Sequence, residues 1–337
     1  MSLLPAVAAP KDMTLDAAAR NEVISNTAKH LRADYVFPDL GEKMAASLQA
    51  RQQRGEYDRI DSALRFAEQL SEDMQAISHD KHLRLRYREQ EIAKDSIRDE
   101  DSPEEVARYQ RAAQRNNYGF RKVEILDGNI GYLRLDSFDE PSIAASTATA
   151  AMTLLAGSSA LIIDLRHNGG GSPEMVQFLT SYLFGPTPVH LNDLYYRPEN
   201  STTQYRTLPY VPGPRLTNTP VYLLTARRTF SAAEEFSYNL KQLKRATLVG
   251  ETTGGGAHPG GMYRVHPHFQ VFVATGRAIN PISKSNWEGT GVIPDIATPA
   301  ADALSTTHKL ALEATAKSAA DTEYRQLAEA ALGRLAK

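Results

Sequence analysis

The run "ALIIDLR", Ala160 to Arg166, is apolar at consecutive positions where a half-buried strand would alternate. Such a run suits a strand covered on both faces, as parallel strands are when helices pack above and below them. Its surroundings keep that reading. "NIGYLRLDSF" from Asn129 alternates as a strand, and "SIAASTATAAMTLLAG" is a small-residue helix ending at Gly157. Beyond "ALIIDLR" come a helix near "PEMVQFLTSYLF", a hairpin from Asp193 to Leu208 across "RPENST", the strand "VYLLTA", a helix after Ser231 and the strand "ATLVGE". Strands alternating with helices predict an α/β fold, a mostly parallel sheet flanked by helices, over residues 123–300.

The chain before this core follows a different period. Leu40, Met44 and Leu48 recur every fourth position, and Leu64, Ala67, Leu70, Met74 and Ile77 recur at three and four, so each set makes one apolar helix face. Asp39 and Asp61 stand where N-caps belong, and "VFPD" separates the first helix from the second. Residues 1–90 therefore read as an N-terminal helical lobe. Residues 91–122 read as a charged linker ending in a helix begun near Pro103, and residues 301–337 as one or two closing helices. A chain of 337 residues exceeds one ordinary core, which agrees with a lobe attached to an α/β domain.

Charge and composition exclude several classes. A formal net charge of -2, with basic residues scattered, leaves no footprint for nucleic acid. No apolar run approaches the roughly 20 residues that span a bilayer, so membrane insertion is not expected. With no cysteine there is no disulfide, thiolate metal site or thiol nucleophile. The pair His79 and His82 beside Asp80 has metal-like spacing, but no further ligand set accompanies it, and neither metal nor cofactor is expected. "AVAAP" near the start has the small residues that flank an export cleavage point, which favours an exported protein over a cytoplasmic one. An oligomer is compatible with these features.

Chemistry in such sheets gathers where loops leave the carboxyl ends of the strands. Two loops qualify. "DLRHNGGG" brings Gly169, Gly170 and Gly171 after one strand, and "TARRTFS" brings Ser231 after the next. Successive glycines let backbone N–H groups turn toward one point, as an oxyanion requires, although a plain tight turn explains them equally well. Ser231 also has two readings. "SAAE" is a capping box in which Ser231 and Glu234 satisfy each other's backbone, and the same position would let the N–H of Ala232 hold the oxyanion formed when Ser231 attacks a carbonyl. A serine nucleophile needs a base. His79, His82 and His258 are the candidates, and Glu288 in "NWEGTGVIPDI" is a carboxylate beside the only tryptophan. Tyr195, Tyr196 and Tyr205, in the hairpin between the two loops, are candidates for lining a substrate channel, with sheet packing the commoner role for such rings.

Six segments, "DKHLRLRY", "NIGYLRLDSF", "LIIDLRHNGGGSPE", "TFSAAEEF", "LVGETTGGGAHPGG" and "WEGTGVIPDI", stand in this order in the chain. Together they resemble the superfamily of C-terminal processing (tail-specific) serine peptidases, in particular the branch with the tricorn core protease and the modules of interphotoreceptor retinoid-binding protein. The resemblance implies a crotonase-like core of ββα repeats and a serine-type peptidase. It implies Ser231 as nucleophile, His82 as base, Glu288 as the carboxylate, and an oxyanion hole from Ala232 and a glycine of the loop, Gly169 or Gly170. Tail-specific members place a lysine base in the "GETTGGGA" segment; Gly255 and Gly256 stand there, so a Ser-Lys dyad cannot be written. The tricorn-like branch has a serine just before its histidine, where Lys81 stands here; Ser78 and His79 repeat the pair out of register.

The stretch from Arg88 to Asp127 is too short for the PDZ domain that tail-specific members insert there. The implied partner is a peptide or unfolded protein, with His258 and the three tyrosines toward the substrate. An esterase-like hydrolase is compatible with the same machinery. The reading from a different class is a non-catalytic binding module for a lipid, retinoid or other apolar ligand.

Overall fold

The computed structural model describes residues 11–92, 103–318 and 320–335. The stretch on which the export reading rests, and much of the charged linker, lie outside these residues. The chain clusters into two units. One comprises Met1–Pro103, Tyr195–Ser201 and His258–Arg277, and the other Glu104–Leu194, Thr202–Ala257 and Ala278–Lys337.

The first unit begins with three helices, α1 (Ala17–Asp34), α2 (Pro38–Gln53) and α3 (Ala63–Ser78). Met44, Leu48, Ala67, Leu70 and Met74 are buried as their spacing predicts, whereas Leu64 lies 39% exposed. The cap of α2 falls two residues before the place the sequence suggests, and that of α3 one residue after it. Pro38 takes the first position of α2, leaving Phe37 as N-cap and Asp39 in the first turn, where its charge still faces the helix dipole. Ser62 rather than Asp61 caps α3, its hydroxyl accepting the Arg65 N–H at 3.1 Å.

The lobe also contains a sheet. β1 (Arg84–Tyr87) pairs antiparallel with β10 (Phe269–Ala274), which pairs antiparallel with β9 (Gly260–His266). Phe269, Val271 and Val273 are fully buried in one cluster with Ile24, Leu31, Phe66 and Leu70 of the helices. A segment nearly 200 residues downstream thus completes the lobe, although the sequence reading assigns it to the α/β core.

The second unit is built on six strands in the order β12 (Ile296–Ala297), β8 (Thr247–Gly250), β7 (Val221–Thr225), β4 (Ala160–Asp164), β3 (Ile130–Leu135) and β2 (Phe120–Leu126). All neighbours are parallel except the edge pair β2 and β3. Every residue of β4 is buried, as its unbroken apolar run predicts. One face packs Ile130, Ile162, Leu224 and Val249 against α8 (Ala303–Ser318) and α9 (Thr322–Leu335), the closing helices. The helices between strands are α5 (Pro141–Leu155), α6 (Pro173–Ser181) and α7 (Ala232–Gln242). α4 (Pro103–Arg115) precedes the sheet. The hairpin forms as β5 (His190–Tyr196) and β6 (Ser201–Arg206), with β11 (Gly276–Ile279) on the other side of β5.

Candidate active site

In the second unit the chain leaves β7 through Ala226–Phe230 and enters α7 at Ser231. This turn is anchored from both sides. Thr229 Oγ1 donates to the Leu165 carbonyl at 2.8 Å and accepts the Ala226 N–H at 3.0 Å, while the Phe230 N–H donates to the Asn168 carbonyl at 3.1 Å. Ser231 then holds φ 55° and ψ −123°, a conformation that costs a non-glycine residue roughly 1–3 kcal/mol. Surrounding bonds hold it there. The Glu234 carboxylate accepts the Ser231 N–H at 3.0 Å, and the N–H groups of Glu234 and Glu235 both reach the Ser231 carbonyl, at 2.8 and 2.9 Å. The capping box expected from "SAAE" is therefore present, but the hydroxyl's half of it falls short of a full hydrogen bond. Ser231 is half-buried, at a sharp strand-to-helix turn of the kind that presents a side-chain oxygen.

The glycine loop lies directly against this serine. A Cβ on Gly170 would stand 2.7 Å from Ser231 Cβ and 3.1 Å from the Ala232 nitrogen, and its φ of 111° suits only glycine. Asn168, fully buried, organises the loop: its Nδ2 donates to the Leu135 carbonyl at 3.0 Å and its Oδ1 accepts the Gly170 N–H at 2.8 Å. The Gly170 N–H, one of the expected oxyanion donors, is consequently occupied within the loop's own turn. Gly169 is exposed, with open space where a Cβ would stand. Among the described residues no hydrogen bond takes the N–H of Gly169 or of Ala232. Ala232 is the first residue of α7, so its N–H also carries the positive end of the helix dipole.

Glu234 does more than cap. Fully buried, its carboxylate also accepts the N–H groups of Gly255 at 2.6 Å and Gly256 at 2.8 Å and the hydroxyl of Thr253. Burial pushes its carboxyl up from the ordinary range while these four donors pull it back. The network continues to Glu288: Trp287 Nε1 donates to the Gly256 carbonyl at 2.7 Å, and the Ala257 N–H donates to Glu288 Oε2. Ser231, Ala232, the glycine loop and Glu288 thus belong to one bonded region of the second unit. The sequence marks Glu234 only as a capping residue; its central place depends on contacts 19 to 22 residues away. Tyr205 is also in this unit, buried, its hydroxyl donating to Glu174 at 2.8 Å.

His82 and His258 belong to the first unit. The His82 ring stacks on Phe272 with centroids 5.6 Å apart, and its side chain is 13% exposed. Desolvation lowers its pKa to about 4, against the opposing pull of Asp80, so the ring is neutral at neutral pH. Asp80 is completely buried: Oδ1 accepts the His82 N–H at 2.9 Å and lies 3.8 Å from its Nδ1, while Oδ2 faces Tyr35 Oη at 3.3 Å and His258 Nδ1 at 3.4 Å. In the sequence Asp80 is legible only as part of the metal-like spacing of His79 and His82. His79 is the C-cap of α3, in the left-handed region at φ 57° and exposed. Tyr195 packs under the Arg277 guanidinium at 5.4 Å, and Tyr196 lines a groove of about 400 Å³ with Glu199, Gly260, Gly261, Tyr263 and Thr275.

Comparisons with known proteins fit these observations. Residues 12–118 match the N-terminal domain of Peptidase S41 in eukaryotic IRBP. Carboxyl-terminal-processing peptidase 2, chloroplastic, of Arabidopsis thaliana is 28% identical over 171 residues, a match spanning 49% of this chain and 31% of the relative's length. Among solved structures, a lipoprotein from Streptococcus agalactiae superposes with a TM-score of 0.57 at 13% identity, over 90% of this chain and 99% of that one. The tricorn protease superposes with a TM-score of 0.51 at 13% identity, over 94% of this chain and 37% of that one. At such identity both show a shared fold. Residues 129–298, which hold every strand of the sheet but β2, the glycine loop, Ser231 and Glu288, match peptidase family S41, and the chain belongs to that family.

Proposed function

We propose that this chain is a serine peptidase that opens peptide bonds through an acyl-enzyme, with Ser231 as nucleophile, His82 as base and Glu288 as the supporting carboxylate. The Ser231 hydroxyl attacks the scissile carbonyl as His82 takes its proton. The oxyanion so formed is held by the N–H groups of Ala232 and Gly169, while Gly170 lets the loop pass against the serine. His82 then protonates the leaving amine, the C–N bond breaks, and water releases the acyl group by the same steps.

The observation that carries this reading is the backbone of Ser231. A positive φ is needless for a helix cap, which normally sits in the extended region. A costly conformation beside two uncommitted N–H donors is the arrangement an acyl-transfer site requires. The neutral His82 ring is in the protonation state a base needs. The implied substrate is a peptide or unfolded protein.

The test is turnover of unfolded protein substrates. Ser231→Ala should lower kcat by about 10⁴-fold or more with the fold intact. Full turnover in that variant would remove the proposal. The match of residues 12–118 to a domain of IRBP supports a second reading, a binding module for an apolar ligand. Saturable retinol binding together with absent hydrolysis would favour it.

A further inference from the structure

Among the residues of the first unit, the carboxylate beside the His82 ring is Asp80, not one of the groups assigned above. Its geometry is that of a fixed partner. It is completely buried, and both oxygens are held: Oδ1 by the His82 N–H at 2.9 Å, Oδ2 between Tyr35 Oη and His258 Nδ1 at 3.3 and 3.4 Å. His258 is held in turn by Phe37, edge-on at 5.3 Å between ring centroids. The nitrogen that Asp80 faces is Nδ1, 3.8 Å away, and the ring stacks on Phe272. Catalytic hydrogen bonds are commonly this long before substrate tightens them.

We infer that Asp80 is a positioning residue for the base: it holds His82 in the tautomer with the proton on Nδ1, which makes Nε2 the atom that takes the Ser231 proton, and it stabilises the ring once it is protonated. The inference rests on reading Ser231 and His82 as nucleophile and base. The proton leaves Ser231 Oγ for Nε2 and passes on to the leaving amine, and Asp80 takes no part in the transfer. Within the first unit Arg84 of β1 and His258 also act on the ring, both disfavouring its charged form, and Phe272 of β10 is an apolar neighbour. Asp80 acts in addition to Glu288, whose carboxylate accepts the Ala257 N–H.

The alternative is a purely structural Asp80 that only caps the turn through the His82 N–H. Asp80→Asn separates the two, because an amide oxygen can still accept that N–H while the charge is gone. The expected result is an intact fold, KM within about twofold, and kcat lower by about 10³–10⁴-fold, as loss of an orienting carboxylate brings elsewhere. Asp80→Glu should recover part of the rate. A kcat within about threefold of the wild type would overturn the inference.

Nitrogen-15 NMR of the wild-type histidines supplies a readout that needs neither turnover nor a variant. His82 should carry its proton on Nδ1 at neutral pH; a proton on Nε2 there would overturn the inference. In Asp80→Asn the His82 titration should move further toward acid, and an unmoved titration would likewise overturn it. If wild-type turnover does not depend on Ser231, the peptidase reading fails on its own, and the tautomer and titration still judge the pairing of Asp80 with His82.

Discussion

Ser231 and Gly170 are in contact through the one atom that glycine lacks. A Cβ on Gly170 would stand 2.7 Å from that of Ser231, closer than such atoms approach, at a backbone φ of 111° that an alanine tolerates poorly. Gly170→Ala should therefore push the serine turn away from the glycine loop. We expect turnover to fall by about 10²-fold, with stability lower by about 1–3 kcal/mol, measured by urea denaturation beside a peptidase assay. Equal activity in that variant would mean that the loop has no part in the chemistry. The serine and the glycines could be found in the sequence because each follows a strand of recognisable pattern. The occupied N–H of Gly170 could not, since it depends on how the Asn168 side chain turns.

The helix that Ser231 begins carries a second carboxyl with a different fate. Glu235 is fully buried in α7 beside Asn192 and Asn239, and desolvation raises its pKa to about 7, with Glu174 adding to the rise. A carboxyl whose pKa is higher folded than unfolded favours folding below its unfolded pKa, and that contribution is lost as pH rises through about 7. Glu235→Gln should therefore add roughly 3 kcal/mol of stability at pH 8 and almost nothing at pH 4. Urea denaturation at the two pH values checks this, and an equal effect at both would contradict it. Among the elements, β4 and α7 were legible because periodicity and capping residues are local signals. The place of β10 was not, because it pairs with β1, far earlier in the chain, and no local pattern reports a pairing of that span; β9 joins the lobe through β10.

At the scale of the whole molecule, the described chain is two units, each with its own apolar core, and the residues of the proposed mechanism are divided between them. Ser231, Ala232, Gly169 and Glu288 belong to the larger unit, His82 and Asp80 to the other. Sequence order alone shows that these pieces exist; the wider contacts of Asp80 and Glu234 are legible only in the buried hydrogen bonds they make. The account depends most on Ser231 being a nucleophile served by a neutral histidine. Its most direct measurement is the pH dependence of covalent labelling by a fluorophosphonate, with the adduct located by mass spectrometry. The expected result is one adduct, on Ser231, forming at a rate that rises through about pH 4, the pKa of His82, and is level near neutrality. Folded protein that takes no label, or takes it on another residue, would contradict the account.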